Sequence, residues 1–278
     1  MCKTSADYNI VIDTAHLEKT YFNDLFRFKE LFYFFAWRDL LVRYRHTLLG
    51  IIWILLRPVI NMVIFAFVFG KIAHLETTHD YYPLFVLVGL LPWQLFASSL
   101  VDCSSCLIQN ASIISKSYFP RMILPISQIL VNLVDFAVSL AMLFIIFLIL
   151  GAFSIKPLLF FPFFLVLTVA LCLGIGLWIA AINIRFRDFR MIVPFLLQLG
   201  LFISPIGYSS FIVPSPLRYF YFLNPLVGII EGIRFCYFGT MHADLPLAVA
   251  FSTAVTGVIL WTGFFYFRRM ERVLADII

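Results

Sequence analysis

Long apolar segments that carry almost no charge constrain this chain more than any other feature of its sequence. Six of them follow one another, at about residues 51–70, 84–104, 122–150, 157–183, 191–209 and 245–267. About 20 consecutive apolar residues are enough for an α-helix to cross a bilayer, where a helix satisfies its own backbone hydrogen bonds. Only 13% of the residues are charged, against about 25% in soluble domains. The sequence therefore predicts an all-α integral membrane protein with six spans.

The basic residues predict the orientation of these spans. If both termini are cytoplasmic, only four of the 20 Lys and Arg residues face outward, namely Lys71, Lys156, Arg218 and Arg234. This distribution follows the positive-inside rule and predicts a multi-pass protein of the cytoplasmic membrane. It also accounts for the net charge of +5 without a nucleic-acid partner.

The segment between the fifth and sixth spans, residues 210–239, is apolar but interrupted. Pro214, Pro216 and the Asn224-Pro225 pair would each break a continuous helix. We therefore predict two short helices that dip into the outer boundary of the membrane. Glu231 and Arg234 are three residues apart, a spacing that allows an ion pair on one helix face.

An amphipathic helix is predicted before the first span, within residues 23–46. Phe28, Leu31, Phe32 and Phe35 follow the spacing of one helix face, and we expect this face to rest on the cytoplasmic headgroups. The helix leads into a basic cluster of Arg38, Arg43 and Arg45, with Arg57 just inside the span. The cluster either anchors the chain by its charge or binds an anionic substrate group through its guanidinium groups.

Polar residues inside the predicted spans have two interpretations each. Asp135 lies near the middle of the third span, one turn after Asn132, and is either a buried packing group or a gating group on a transport path. Arg57 and Asn61 share one face of the first span. Arg57 either extends toward the headgroups or meets an anion at the inner mouth of a path.

Motifs for catalysis, metal binding and ATP binding give no positive signal. The only Gly-Lys pair, Gly70-Lys71, is followed by Ile72 rather than by Ser or Thr, so the sequence contains no Walker A loop. We expect Cys103 and Cys106 to be buried packing residues. The polar stretch from His74 to Asp80 is expected to be a hydrated loop, since its spacing matches no established metal-ligand pattern.

Five stretches, in the right order, resemble the permeases of ABC transporters that export polysaccharides such as lipid-linked O-antigen, capsule or teichoic acid. The first, "RDLLVRYRHTLLGIIW", leads from the amphipathic helix into the first span. The others are "YPLFVLVGLLPWQLFASSL", "NASIISKSYFPRMILPI", "NIRFRDFRMIVPFLLQLGLFISPIGY" and "LNPLVGIIEGIRFCYFG". The resemblance extends from about residue 30 to the C-terminus.

This resemblance implies a domain plan and a set of functional residues. Residues 1–50 would form a cytoplasmic N-terminus with the amphipathic interface helix, 51–267 a six-span export permease domain, and 268–278 a cytoplasmic tail. A coupling helix within 106–120 would contact an ATPase, and a broken, re-entrant outer gate would occupy 210–240. The implied residues are Arg38, Arg43, Arg45 and Arg57 for the substrate diphosphate; Asn110, Ile113, Ile114, Lys116 and Tyr118 for coupling; Asn61 and Asp135 for intramembrane gating; and Asn224, Pro225, Glu231 and Arg234 for the outer gate.

The resemblance also implies partners. Two copies of the permease would bind two copies of a separate ABC ATPase, which would hold ATP and Mg, so no cofactor is expected on this chain. The cargo would be a polysaccharide, carried on an undecaprenyl-type lipid and moved across the bacterial inner membrane. An exporter of lipids or drugs with the same architecture is an alternative. A membrane-bound acyl- or glycosyltransferase is a third interpretation, disfavoured because the five His residues are dispersed and no acid cluster is found beyond the first outer loop.

Overall fold

A computed structural model describes residues 28–45, 50–72, 82–117, 119–150, 159–186, 188–239 and 241–277. Over these ranges the chain is helical and contains no strand. The helices are α1 (Lys29–Tyr44), α2 (Gly50–Phe65), α3 (Tyr82–Gln109), α4 (Ala111–Ile114), α5 (Ile123–Leu150), α6 (Phe161–Arg185), α7 (Phe189–Ile203), α8 (Ser215–Tyr221), α9 (Pro225–Phe238) and α10 (Leu245–Ile277). A π-helical segment (Ala66–Ile72) extends α2, and a short 3-10 turn (Ser210–Ile212) precedes α8.

The predicted all-α membrane class is confirmed, with five described helices long and apolar enough to cross a bilayer. They are Ile52–Ile72, Tyr82–Gln109, Ile123–Leu150, Phe161–Arg185 and Leu245–Glu271. The predicted fifth span, 191–209, is helical only as far as Ile203, so α7 has 15 residues and a rise of about 22 Å. The helix ends because Pro205 favours an extended conformation at the preceding residue, and Ser204 has ψ 148. The count of six spans stays a prediction.

The face of α1 that was predicted to rest on lipid packs against protein instead. Phe35 is buried, with its ring centroid 5.6 Å from that of Phe119, and the other three residues of the predicted face contact the same cluster. The exposed apolar side chains of α1 belong to other positions: Tyr33, Phe34, Trp37, Leu41 and Val42. The spacing of apolar residues identified a real face but not what covers it, because α1 is apolar on two sides.

The second span, α3, lies at the centre of the bundle. Most of its side chains are buried, and it contacts α2, α5, α6, α7 and α9. Cys103 and Cys106 lie on this helix as buried free thiols, as predicted for packing residues. The His74–Asp80 loop lies outside the described residues.

Helices α6 and α10 pack closely because two glycines face each other. A Cβ atom added to Gly263 would lie 2.4 Å from the carbonyl oxygen of Gly174, well inside van der Waals contact. Small residues allow this close approach of helix backbones within membranes.

Candidate functional site

A cavity of about 720 Å³ opens beside α2, α3, α5 and α7, and the C-terminal end of α1 contributes to its wall. Its lining combines apolar surface with many polar side chains. The polar and charged residues that line it are Arg43, Tyr44, Arg57, Asn61, Gln94, Ser98, Asp102, Asn132, Asp135, Ser139 and Gln198. Four residues singled out from the sequence, Arg43, Arg57, Asn61 and Asp135, therefore meet in one place.

An ion-pair cluster joins α1 to the second and third spans at one end of this cavity. The Arg43 guanidinium donates to Asp102 Oδ2 at 2.7 Å and to Asp135 Oδ2 at 2.8 Å. It also donates to Asn132 Oδ1 at 3.0 Å, while the Tyr44 hydroxyl donates to the other oxygen of Asp135. Asp135 is thus paired with α1, a helix far away in the sequence.

Asp102 is the member of this cluster that the sequence analysis missed. It accepts a hydrogen bond from Asn132 Nδ2 at 2.8 Å as well as the one from Arg43. Its position near the end of the second span was a usable signal, because an acid inside a span is costly without a partner. Two carboxylates and one guanidinium leave the cluster with a net charge of −1.

The carboxylates perturb the ionisation of both α1 residues. Burial alone would lower the pKa of Arg43, but the charges of Asp102 and Asp135 outweigh it and raise this pKa above its ordinary value. Burial and the hydrogen bond to Asp135 raise the pKa of the Tyr44 phenol. Arg43 is therefore cationic and Tyr44 neutral at physiological pH.

The four arginines of the predicted cluster have different environments. Arg38 lies away from the cavity, where it pairs with Asp39 at 2.7 Å and donates to Asn110 Oδ1 at 2.8 Å. Arg45 is exposed at the end of α1 and does not line the cavity. Arg57 lines the cavity and is exposed, and no residue in the described ranges accepts a hydrogen bond from it. The structure thus brings Arg43 and Arg57 to the cavity and places Arg38 and Arg45 away from it, and the binding role of the four arginines stays a prediction.

The predicted coupling residues divide between inward and outward positions. Asn110 is buried and donates to the Cys106 carbonyl oxygen at 2.8 Å, and Ile114 is also buried. Ile113 packs partly against the same cluster as Phe35, whereas Lys116 is exposed. Tyr118 lies outside the described residues. Lys116 is thus the predicted coupling residue that the structure leaves exposed, while the buried Asn110 and Ile114 hold the segment in place.

The pairing predicted for Glu231 and Arg234 on α9 is confirmed. Their charged groups lie 3.2 Å apart, and the side chains are only 5% and 3% exposed. Arg234 also donates to the carbonyl oxygens of Ile206 at 2.7 Å and Tyr208 at 3.1 Å. Glu231 accepts the Ser210 N–H at 2.7 Å. The pair therefore satisfies the backbone of the non-helical segment that follows α7.

Asn224 and Pro225 have a clear local role at the start of α9. Asn224 is the N-cap residue, and its side chain accepts the Leu226 N–H at 3.1 Å. Pro225 occupies the first turn, where its missing N–H leaves no helical bond unmade. An ion pair between Arg218 and Asp244, which joins α8 to the start of α10, was not anticipated because 26 residues separate its members.

Comparison with known proteins gives one family and several relatives. Residues 30–238 match the family described as ABC-2 type transporter. The chain is 28% identical over 255 residues to the O-antigen export system permease protein RfbA of Myxococcus xanthus, covering 91% of this chain and 97% of that protein. It is 28% identical over 244 residues to a protein of the same name from Klebsiella pneumoniae, covering 87% and 92%. It is 26% identical over 248 residues to the polysialic acid transport protein KpsM of Escherichia coli, covering 85% and 92%.

Proposed function

The chain belongs to the ABC-2 type transporter family, and on that premise we propose that it is the membrane permease subunit of an ATP-driven polysaccharide exporter. The observation that carries this proposal is the similarity along 85–91% of the chain to permeases named for two different glycans, O-antigen and polysialic acid. Because those relatives share a cargo class rather than one cargo, the proposal extends to polysaccharide and not to a particular repeat unit. The membership also sets aside the transferase reading, since the family is one of transport subunits.

The proposed energy source is a separate ABC ATPase, which binds ATP and Mg. The sequence supports this assignment because it contains no Walker A loop. The proposed assembly has two permease chains and two ATPase chains in the bacterial inner membrane, with both permease termini cytoplasmic. Native mass spectrometry of the gently extracted complex tests it. A two-plus-two mass is expected, and a stable permease without a nucleotide-binding subunit would contradict it.

The proposed cargo is a glycan joined through a diphosphate to an undecaprenyl-type lipid. The geometry supports such an amphiphile because polar side chains line the cavity between apolar helices. The glycan would leave past the predicted outer gate, residues 210–240, where the buried Glu231–Arg234 pair binds the backbone of the segment between α7 and α9. This outer gate assignment is part of the proposal.

Deletion of the gene in the organism that carries it tests the cargo. We expect loss of a surface polysaccharide, accumulation of the lipid-linked form inside the cell, and recovery of both with the wild-type gene. Unchanged surface polysaccharide, together with altered export of a lipid or a hydrophobic drug, would favour the alternative exporter instead.

Coupling to the ATPase is proposed to use the exposed surface around Lys116. The variant Lys116→Glu reverses the charge of an exposed side chain without disturbing the buried Asn110 or Ile114. We expect export and cargo-stimulated ATP hydrolysis to fall while the amount of permease in the membrane is unchanged. Lys29→Glu makes the same change at an exposed position of α1 and serves as the control. Equal effects of the two variants would contradict the assignment.

A further inference from the structure

One face of α2 carries three chemically different groups into the cavity. Trp53, Arg57 and Asn61 follow one another at intervals of four residues and all line it. They span eight residues, or about 12 Å of helix rise. An aromatic face, a cation and an amide are thus arrayed over roughly the length of one sugar ring and the phosphate attached to it.

The charge of Arg57 is available to a ligand, whereas that of Arg43 is not. The guanidinium of Arg43 already donates to two carboxylates and an amide oxygen. No side chain in the described ranges accepts a hydrogen bond from Arg57, which is exposed to the cavity. An anion that reaches the cavity is therefore attracted by Arg57, while the cluster at Arg43, with its net charge of −1, repels it.

Three of the cavity's amide groups are also available to a ligand. Four primary amides line it, and that of Asn132 is engaged by Arg43 and Asp102. Those of Asn61, Gln94 and Gln198 have no side-chain hydrogen bond within the part of the chain that the structure describes. Each amide offers both donors and an acceptor, which is what the hydroxyl groups of a sugar require. Trp53 is 46% exposed, so its ring presents a flat apolar face to the same space.

We propose that this cavity binds the phosphate-linked first sugar of a lipid-carried glycan. Arg57 contacts the phosphate, Asn61 and the two glutamines contact the sugar hydroxyls, and Trp53 lies against the sugar ring. Arg57 suits the phosphate because its planar guanidinium presents several donors to phosphate oxygens. This inference rests on the proposed function and assigns its substrate contacts to individual residues.

Equilibrium binding to the full-length chain in phosphatidylcholine nanodiscs tests the assignment. The radiolabelled probes are undecaprenyl diphosphate and its N-acetylglucosamine derivative. A hydrogen bond to a charged group is strong enough that Arg57→Gln should weaken binding of both probes by at least about tenfold. Arg57→Lys, which keeps the charge, should lose less than Arg57→Gln. Arg190→Gln is the matched control, because it removes the same charge from an exposed position outside the cavity, and it should change binding by less than about twofold.

The sugar contacts have a separate test with the same probes. Asn61→Leu should weaken binding of the sugar-bearing probe and leave that of undecaprenyl diphosphate nearly unchanged. An Arg57→Gln affinity within about twofold of wild type, in protein whose thermal stability is unaltered, overturns the phosphate contact. Equal weakening of both probes by Asn61→Leu overturns the sugar contact.

Competitors distinguish the possible sources of the phosphate group. Displacement of the probe by inorganic diphosphate, lost in Arg57→Gln, supports a site that recognises the phosphate group itself. If phosphatidylglycerol displaces the probe as effectively as the unlabelled sugar-bearing lipid does, the site accepts any anionic headgroup. That result overturns the sugar-phosphate assignment. If gene deletion abolishes the surface polysaccharide but Arg57→Gln binds both probes as wild type does, this inference is refuted and the proposed function stands. Normal surface polysaccharide after gene deletion refutes the proposed function.

Discussion

The buried ion pair of α9 allows a quantitative prediction from three variants: Glu231→Gln, Arg234→Gln and the double change. Both side chains are almost fully buried, and each has further partners in the segment after α7. Arg234 donates to two backbone carbonyls, whereas Glu231 accepts one backbone N–H. The two single changes therefore leave different groups without partners.

The expected losses of unfolding free energy follow from these contacts. Removing one partner of a buried pair costs about 3–5 kcal/mol. Glu231→Gln should lie near 3 kcal/mol, because the remaining amide oxygen still accepts the Ser210 N–H and the two carbonyls still accept from Arg234. Arg234→Gln should cost about 5 kcal/mol or more, because it strands a carboxylate and leaves two carbonyls without donors at about 1–3 kcal/mol each. The double variant removes both charges and should cost about 2–4 kcal/mol, so the single losses should exceed it in sum by at least about 4 kcal/mol.

The assay is an SDS titration of the purified chain in mixed micelles. Unfolding is followed by short pulses of a thiol-reactive dye, since the four described cysteines are free and buried: Cys103, Cys106, Cys172 and Cys236. A Cys2→Ser background removes the remaining thiol of the chain. Additive losses, with a coupling energy within about 0.5 kcal/mol of zero, would refute the reasoning. A larger loss for Glu231→Gln than for Arg234→Gln would refute the assignment of the carbonyl contacts.

Two further predictions use the same titration. Gly263→Ala should lower the free energy of unfolding by about 1–3 kcal/mol through overpacking, because its Cβ would lie 2.4 Å from the Gly174 carbonyl oxygen. The control is Gly257→Ala on the same helix, whose Cβ would meet nothing within 4 Å. It should raise the free energy of unfolding by about 0.5–1 kcal/mol. Similar effects of the two alanines would contradict the close contact. Tyr44→Phe should cost about 1–2 kcal/mol by removing the donor to one oxygen of Asp135. Since burial and Asp135 raise the pKa of Tyr44, its contribution is present below the ordinary phenol pKa of about 10 and is lost only as pH rises above that value. The Tyr44→Phe loss should therefore stay constant from about pH 6 to pH 9, and a steep change there would count against a neutral Tyr44.

Local sequence patterns predicted those features of α9 that depend on residues only a few positions apart. The Asn224-Pro225 pair was predicted to interrupt the helix, and it does so at the start of α9, because an N-cap side chain and a first-turn proline act within a few residues. The Glu231–Arg234 spacing predicted its ion pair for the same reason. Pro205 carried an equally local signal for the end of α7 that the long apolar run obscured.

Partners distant in the sequence were beyond such patterns. Asp135 was identified as a costly intramembrane acid, but Arg43 precedes it by 92 residues and nothing local connects the two. The pairing depends on where α1 docks, which is decided by tertiary packing. The same docking determines that Arg43 is neutralised while Arg57 is not, so composition alone made the four arginines look equivalent.

The position of α1 connects the two regions that an exporter must coordinate. In the middle of α1, Phe35 packs on Phe119 and Arg38 donates to Asn110, both in the predicted coupling segment. At its end, Arg43 is held by Asp102 and Asp135 in the wall of the cavity. An α-helix of 16 residues is about 24 Å long and resists bending over that length. Displacement of the coupling segment therefore cannot leave the cavity wall unchanged unless one of these sets of contacts breaks. The charged contacts at Arg43 are the ones expected to persist, because separating them would leave two carboxylates unpaired in the wall of the cavity.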